Sequence, residues 1–197
     1  MAGQTSTDRG RQARTKLLTA ARELIGELGW SAVSTRILAE RAGVRSGLVH
    51  YHFDSLGALL RQAAAEAMEE LLDQSGAALE EMNDPAAAVE TMLTELDRHT
   101  GDDPDSLLFI EAYLASTRDP ELHEKIAAIL ARFRDRLAKA LQRAGHRDPE
   151  GAAALIAAAF DGFVLHKNLD PDLTAARIAA QIRTITATQG REEEGQI

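Results

Sequence analysis

At Asp84-Pro85, Asp119-Pro120, Asp148-Pro149 and Asp170-Pro171 an aspartate stands directly before a proline. Proline has no main-chain N–H and crowds the preceding turn, so it breaks a helix from inside but suits the first helical position. The aspartate before it offers a carboxylate to the free N–H groups of that first turn. Each pair therefore reads as a helix start. Together with Gly101/Pro104 and Gly145 they cut the second half of the chain into helices at roughly 85–99, 105–117, 120–144, 149–168 and 172–188. No sustained Val/Ile/Thr alternation argues for strands, and the expected fold class is all-α.

The first half reads as four more helices. Leu17, Leu18, Ala21, Leu24, Ile25 and Leu28 recur at helical spacing and predict a helix over 12–28, ended by Gly29. Residues 1–8 are expected to be disordered. Ser34 can cap a short helix from Thr35 to Arg41, and Ser55 a long one from Leu56 to the Asp73–Gly76 region or beyond. Between them lies Thr35–Asp54, TRILAERAGVRSGLVHYHFD. Two short helices crossing steeply need a small residue at the contact, a flexible one at the turn and apolar backing behind the second helix. Ala39, Gly43, and Val44 with Val49 meet those needs. Arg36, Arg45, Ser46, His50, Tyr51 and His52 are then left on or near the outer surface, where a second helix over Ser46–His52 can enter a major groove.

Charge supports this reading. The whole chain carries a formal −9, but residues 1–62 hold nine Lys/Arg against five Asp/Glu, a net of +4, and the remainder holds 13 against 26. A basic head on an acidic body suits a protein of which one end meets phosphate. There is no cysteine, which excludes disulfides and thiolate zinc sites. The polar N-terminus lacks the apolar run of a secretory signal, and the alanine-rich stretch around Ala152–Phe160 is too short to span a bilayer. A cytoplasmic protein with no membrane partner is expected.

From Ala13 to about Leu60 the chain resembles the DNA-binding domain of the TetR/AcrR family of transcriptional regulators. The resemblance rests on Gly29-Trp30, Ser34 through Ala39, Ala42-Gly43-Val44, Gly47 through Phe53, and Ser55 with Leu59-Leu60. It implies a three-helix head with a helix-turn-helix over residues 9–55 and a helical ligand-binding and dimerisation domain over 56–190. By the same resemblance Ser34 caps the second helix and touches phosphate, and Arg36 lies near the backbone or groove. Arg45, Ser46, Gly47 and Leu48 open the recognition helix, and His50 occupies a phosphate-contacting position followed by Tyr51 and His52. Arg9 and Arg11 form an arm that also meets DNA. Arg45 departs from the family's usual serine, so the cap of the recognition helix is expected to be weaker or to move to Ser46, and it adds a guanidinium able to reach guanine O6/N7 or a phosphate. Leu56 stands where a phosphate-contacting lysine is common.

The resemblance further implies double-stranded DNA as partner, through a palindromic operator read by a homodimer, and a small-molecule effector. The effector would release a repressor; a regulator governed by a protein partner, or an activator, is the alternative. Pocket candidates are Met68, Leu72, Met92, Leu96, His99, Leu108, Phe109, Tyr113, Leu130 and Phe133, whose spacing suits a plain core equally well. The acidic body favours a neutral or cationic effector. Ala152, Leu155, Ile156, Ala159, Phe160, Phe163 and Val164, with a second stripe of Ile178, Ile182 and Ile185, form the expected dimer face.

Other chemistries find little support. His50, His52 and Asp54 are spaced by two, so their side chains diverge on a helix and no shared metal ion is expected. Phosphate-binding glycine loops, HExxH and Gly-x-Ser-x-Gly are absent. A helical enzyme with an incidental head is the remote reading; neither an enzyme nor a cofactor is expected.

Overall fold

The computed structural model describes residues 6–81, 84–170 and 172–187. Its described residues form nine α-helices and one 3-10 turn, with no strand. The helices are α1 (Ser6–Leu28), α2 (Thr35–Ala42), α3 (Gly47–His52), α4 (Leu56–Glu81), α5 (Pro85–Leu96), α6 (Pro104–Ser116), α7 (Pro120–Arg143), α8 (Pro149–Lys167) and α9 (Ala175–Ala187), and the turn spans Trp30–Ala32.

The aspartate–proline rule holds at three of the four expected places and extends to one more. Asp84 accepts from Ala86 N–H, Asp119 from Leu122 N–H and Asp148 from Gly151 N–H, each just ahead of a helix-opening proline. Asp103-Pro104 does the same for α6, the carboxylate accepting from Ser106 N–H and Ser106 Oγ. Asp170 is different. Its carboxylate accepts from Asp172 N–H two residues on, which closes a turn, and the last helix begins at Ala175 behind Thr174. The first helix starts earlier than its apolar stripe predicts, at Ser6. Its added turns carry polar links, Arg11 to Asp8 and Thr15 Oγ1 to Arg11 O, in place of buried leucines. Of residues 1–8, expected to be disordered, 6–8 belong to α1, and 1–5 lie outside the described residues.

The chain divides into two compact units, Met1–Met68 with Asp103–Ile126, and Glu69–Asp102 with Ala127–Ile197. The first unit is thus more than the helix-turn-helix: α6 packs along α1. Its core holds Leu17, Leu24, Ile25, Leu38, Val49, Leu59 and, from α6, Leu108. Gly26 makes this approach close, for a Cβ there would stand 2.2 Å from Pro104 O. Arg22 on α1 also pairs with Asp105 on α6 at 3.0 Å.

The second unit is filled by aliphatics and three phenylalanines. Phe133 and Phe160 meet at 6.1 Å between ring centroids, and Phe163 is 1% exposed. Leu79, Leu93 and Leu137 complete the centre. Its outer surface is laced by ion pairs, α7 to α4 through Arg132–Glu69 and Arg136–Asp73, and α8 to the end of α5 through Lys167–Asp97.

Candidate nucleic-acid interface

The helix-turn-helix is built from its joint outward. Ser34 lies in extended conformation and its Oγ accepts from Ile37 N–H, so α2 starts where the serine predicts. At the other end Gly43 takes the left-handed conformation (φ 64°, ψ 35°), for which glycine carries no Cβ penalty. That turn lets Gly43 N–H reach Glu40 O and Val44 N–H reach Ala39 O, which satisfies two carbonyls at the end of α2. Ala39 and Val49 are buried, and Phe53 closes α3 with the Arg14 guanidinium 5.0 Å over its ring. Arg14 also donates to Gln62 on α4, so one cation holds α1, the end of α3 and α4 together.

With Val49 fixed inward, α3 turns Gly47, His50 and Tyr51 to solvent, Tyr51 at 78% exposure, and Arg45 and Ser46 are exposed just ahead of it. Leu48 and His52 are half-buried. The His52 ring meets Tyr51 edge-on at 4.9 Å, and its Nε2 is buried with no hydrogen-bond partner. His52 therefore serves as much to seat the tyrosine as to present a polar edge. Arg9, Arg11 and Arg36 are exposed, and Arg11 pairs with Asp8 at 2.6 Å. Of the two expected outcomes at the start of this helix, the cap does not move to Ser46. That residue already lies in helical conformation and makes no side-chain cap. The first turn of α3 is closed instead by main-chain bonds, Leu48 N–H to Arg45 O and Val49 N–H to Ser46 O.

Not every cation of this unit is available to a ligand. Arg41 bonds both Glu27 and Glu23 of α1, which ties α2 to α1. The hydrogen bond to Arg41 holds the Glu27 carboxyl below its ordinary pKa, and the same bond raises Arg41. Arg61 bonds Asp119 and Glu121. Burial works to raise the Asp119 pKa, but hydrogen bonds from Leu122 N–H and Arg61 outweigh it and hold the carboxyl below its usual range.

The ten pocket candidates do not share one place. Met92, Leu96 and His99 line a cleft of about 440 Å³ in the second unit with Leu71, Gln74, Ser75, Thr91, Glu95 and Arg98. Phe133 is buried in that unit's core, and Leu72 packs on the same cluster. Leu108 lies in the core of the first unit with Phe109 against it. Met68 is buried, and Tyr113 and Leu130 are half-buried.

The expected dimer face is also divided. Phe160, Phe163, Ala152, Ile156 and Ile182 belong to the core of their own unit. Leu155 is 52% exposed, and Ala159, Val164 and Ile178 are half-buried. An apolar groove of about 540 Å³ between α8 and α9 has Leu155, Ala159, Leu173 and Ile178 in its wall, and Ala152, Ile156 and Ile182 of the core also line it. Ile185 falls on α9, but its side chain lies outside the described residues. No helix among the described residues is long and apolar enough to cross a membrane.

A left-handed glycine turn, a buried backing valine and an exposed second helix, on a chain whose described elements are all helical, define a helix-turn-helix domain of the DNA-binding class. A family model described as bacterial regulatory proteins, tetR family, matches residues 17–63, and one described as tetracyclin repressor-like, C-terminal domain, matches residues 83–188. The chain belongs to the TetR family. The crystal structure of the transcriptional regulator SCO7518 from Streptomyces coelicolor A3(2) is 31% identical, covers 90% of this chain and 99% of its own, and superposes with a TM-score of 0.74. The HTH-type transcriptional regulator Rv2912c of Mycobacterium tuberculosis (strain H37Rv) is 26% identical over 192 residues, which is 93% of this chain and 98% of that protein. FadR from Bacillus subtilis, solved in complex with stearoyl-CoA, shares the fold at 18% identity and a TM-score of 0.71, across 88% of this chain and 97% of its own.

Sequence reasoning missed the part α6 plays in the first unit. Asp105 and Glu111 look in sequence like ordinary surface carboxylates, and their links to Arg22 and to Trp30 N–H cross more than eighty residues.

Proposed function

We propose that this protein is a ligand-responsive repressor that binds a palindromic operator as a homodimer and is released by a small molecule. The observation that carries the reading is the exposure of His50 and Tyr51 on a helix whose opposite side is anchored by fully buried Val49, with Arg45 exposed in the turn just ahead of it. In this reading residues 9–55 read DNA, and residues 56–190 dimerise and bind the effector. Arg45 takes a base edge or phosphate at the mouth of the groove. Gly47 lets the main chain come close, the Leu48 side chain meets a thymine methyl, and His50, Tyr51 and His52 approach phosphates. Ser34, whose oxygen already accepts from Ile37, keeps its hydroxyl proton for a phosphate. Arg36, Arg9 and Arg11 add backbone contacts.

The apolar α8–α9 groove supports dimerisation, since two copies apposed there would cover exposed Leu155 and half-buried Ile178. Two heads are needed because one short recognition helix buries little surface, and a dimer reads half-sites about 34–36 Å apart. The cleft holding Met92, Leu96 and His99 supports effector binding, and the acidic balance beyond residue 62 favours a neutral or cationic molecule. Release is a population shift: the effector binds more tightly to a state whose heads no longer match the operator. The mechanism uses no cofactor, and its place of action is the cytoplasm.

The test is genomic pull-down with footprinting, followed by binding measurements over a salt series. Affinity should fall steeply with salt. Arg45→Ala should cost about 1–3 kcal/mol at one base-pair position and relax the preference there. Binding that ignores both salt and Arg45 sinks the reading.

A further inference from the structure

The point where α1 gives way to the helix-turn-helix is held by a side chain from a distant part of the sequence. Gly29 ends α1 with φ 82° and ψ 154°, and the Trp30–Ala32 turn that follows has no side-chain cap from its own N-cap residue. Glu111, in the middle of α6, supplies the acceptor: its Oε2 takes the Trp30 N–H at 2.7 Å. The fit is close on the glycine side too, where a Cβ on Gly29 would lie 3.4 Å from that carboxylate oxygen.

The base from which Glu111 reaches is firm. Gly26 admits Pro104 O where a methyl would overlap it, Arg22 pairs with Asp105, and Leu108 lies 1% exposed in the core shared with α1. The held segment is short. Buried Val33 and the Ser34 cap of α2 follow Trp30 within four residues, so the direction of the elbow sets where α2 and α3 point.

We infer that Glu111 is a positioning residue for operator binding, acting through the Trp30 N–H on the orientation of the helix-turn-helix. The inference rests on the DNA-binding reading above. It places a determinant of DNA affinity on α6, in the segment matched by the C-terminal-domain family model, 83–188. A carboxylate is repelled by phosphate, so its contribution to affinity is indirect. The acceptor has to be an oxygen and need not be charged.

The experiment uses the full chain with Glu111→Ala and Glu111→Gln. Trp30 is the sole tryptophan, so its fluorescence reports the elbow without DNA. Glu111→Ala should shift Trp30 emission and speed exchange of its amide hydrogen. Operator affinity should fall about tenfold or more, the scale of a lost hydrogen bond to a charged group. The slope of log K against log salt should stay that of the wild type, because no phosphate contact is removed. Glu111→Gln, which keeps a carbonyl oxygen, should recover most of the affinity and the wild-type emission.

Three results would overturn the inference. One is wild-type affinity in Glu111→Ala. Another is a changed salt slope, which would make the effect electrostatic at the DNA surface. The third is equal loss in both variants with equal loss of thermal stability, which would leave Glu111 a merely structural residue. Failure of the DNA-binding reading looks different: the wild type then binds no operator, while Trp30 emission still responds to Glu111→Ala, and the positioning role falls with it.

Discussion

At the α1–α6 joint of the first unit there is no room for a methyl group between Gly26 and Pro104. At the α8–α9 joint of the second unit a groove of about 540 Å³ stays open. The first unit fixes its joints by shape and by single polar links: Glu111 on Trp30 N–H, Arg14 on Phe53 and Gln62, Arg41 on Glu23 and Glu27. The second fills its centre with leucines and phenylalanines and keeps its ion pairs on the outside. A surface that must match the fixed spacing of DNA is served by joints with one solution. On the proposed reading, the unit that dimerises and binds an effector keeps apolar faces for that purpose.

Substitutions can break this contrast. The largest effect is expected at Phe163, the most voluminous of the nearly inaccessible side chains. Phe163→Ala should cost about 3–5 kcal/mol in denaturant unfolding, because it removes buried area and leaves a cavity. A small cost would mean that the second unit does not depend on packed volume. Next comes Gly26→Ala. Alanine favours helix over glycine by about 1 kcal/mol, but the overlap with Pro104 O should outweigh that and leave a net loss of about 1–3 kcal/mol, measured in the same way. If the variant is more stable than wild type, the joint has slack and the contrast fails.

A smaller effect belongs to the cap of α2. Ser34→Ala removes the acceptor of Ile37 N–H and should cost about 1 kcal/mol in chemical unfolding, at the weaker end because the bond is 3.3 Å long. The smallest concerns acid. Asp119 has a folded pKa below its unfolded value of about 3.9, so its contribution is fully present above that value and is lost as pH falls through the folded one. Urea midpoints from pH 6 down to 2.5 should therefore fall less steeply in Asp119→Asn than in wild type below about pH 4. Parallel curves would assign acid sensitivity to other carboxylates.

The pieces legible in the sequence were those whose physics is local. Asp84, Asp119 and Asp148 mark helix starts because cap and proline act within three residues. Gly43 marks the turn because only the backbone of that residue is asked to be left-handed. The same local reading goes astray at Asp170, where a nearer N–H at Asp172 takes the carboxylate, and it leaves two outcomes open at Ser46, whose already helical backbone decides for the weaker cap. The outward side of the candidate site was legible, since burying Val49 forces His50 and Tyr51 to solvent. The packing of α6 beside α1 was not, because Leu108 and Phe109 carry the same apolar signal whichever core receives them.

The bond from Glu111 to Trp30 runs from a side chain to the main chain, so substitution can touch only one of its ends. The residue at position 30 can change without losing the donor, since every amino acid but proline brings the same N–H; position 111 must keep a side-chain acceptor of the right length. Links such as Arg22–Asp105 and Arg61–Asp119 join two side chains and can leave a trace as correlated substitutions across descendants of a common gene. The elbow bond can leave no such paired trace. A search for co-varying positions would pass over it, and coordinates are the means by which it is found.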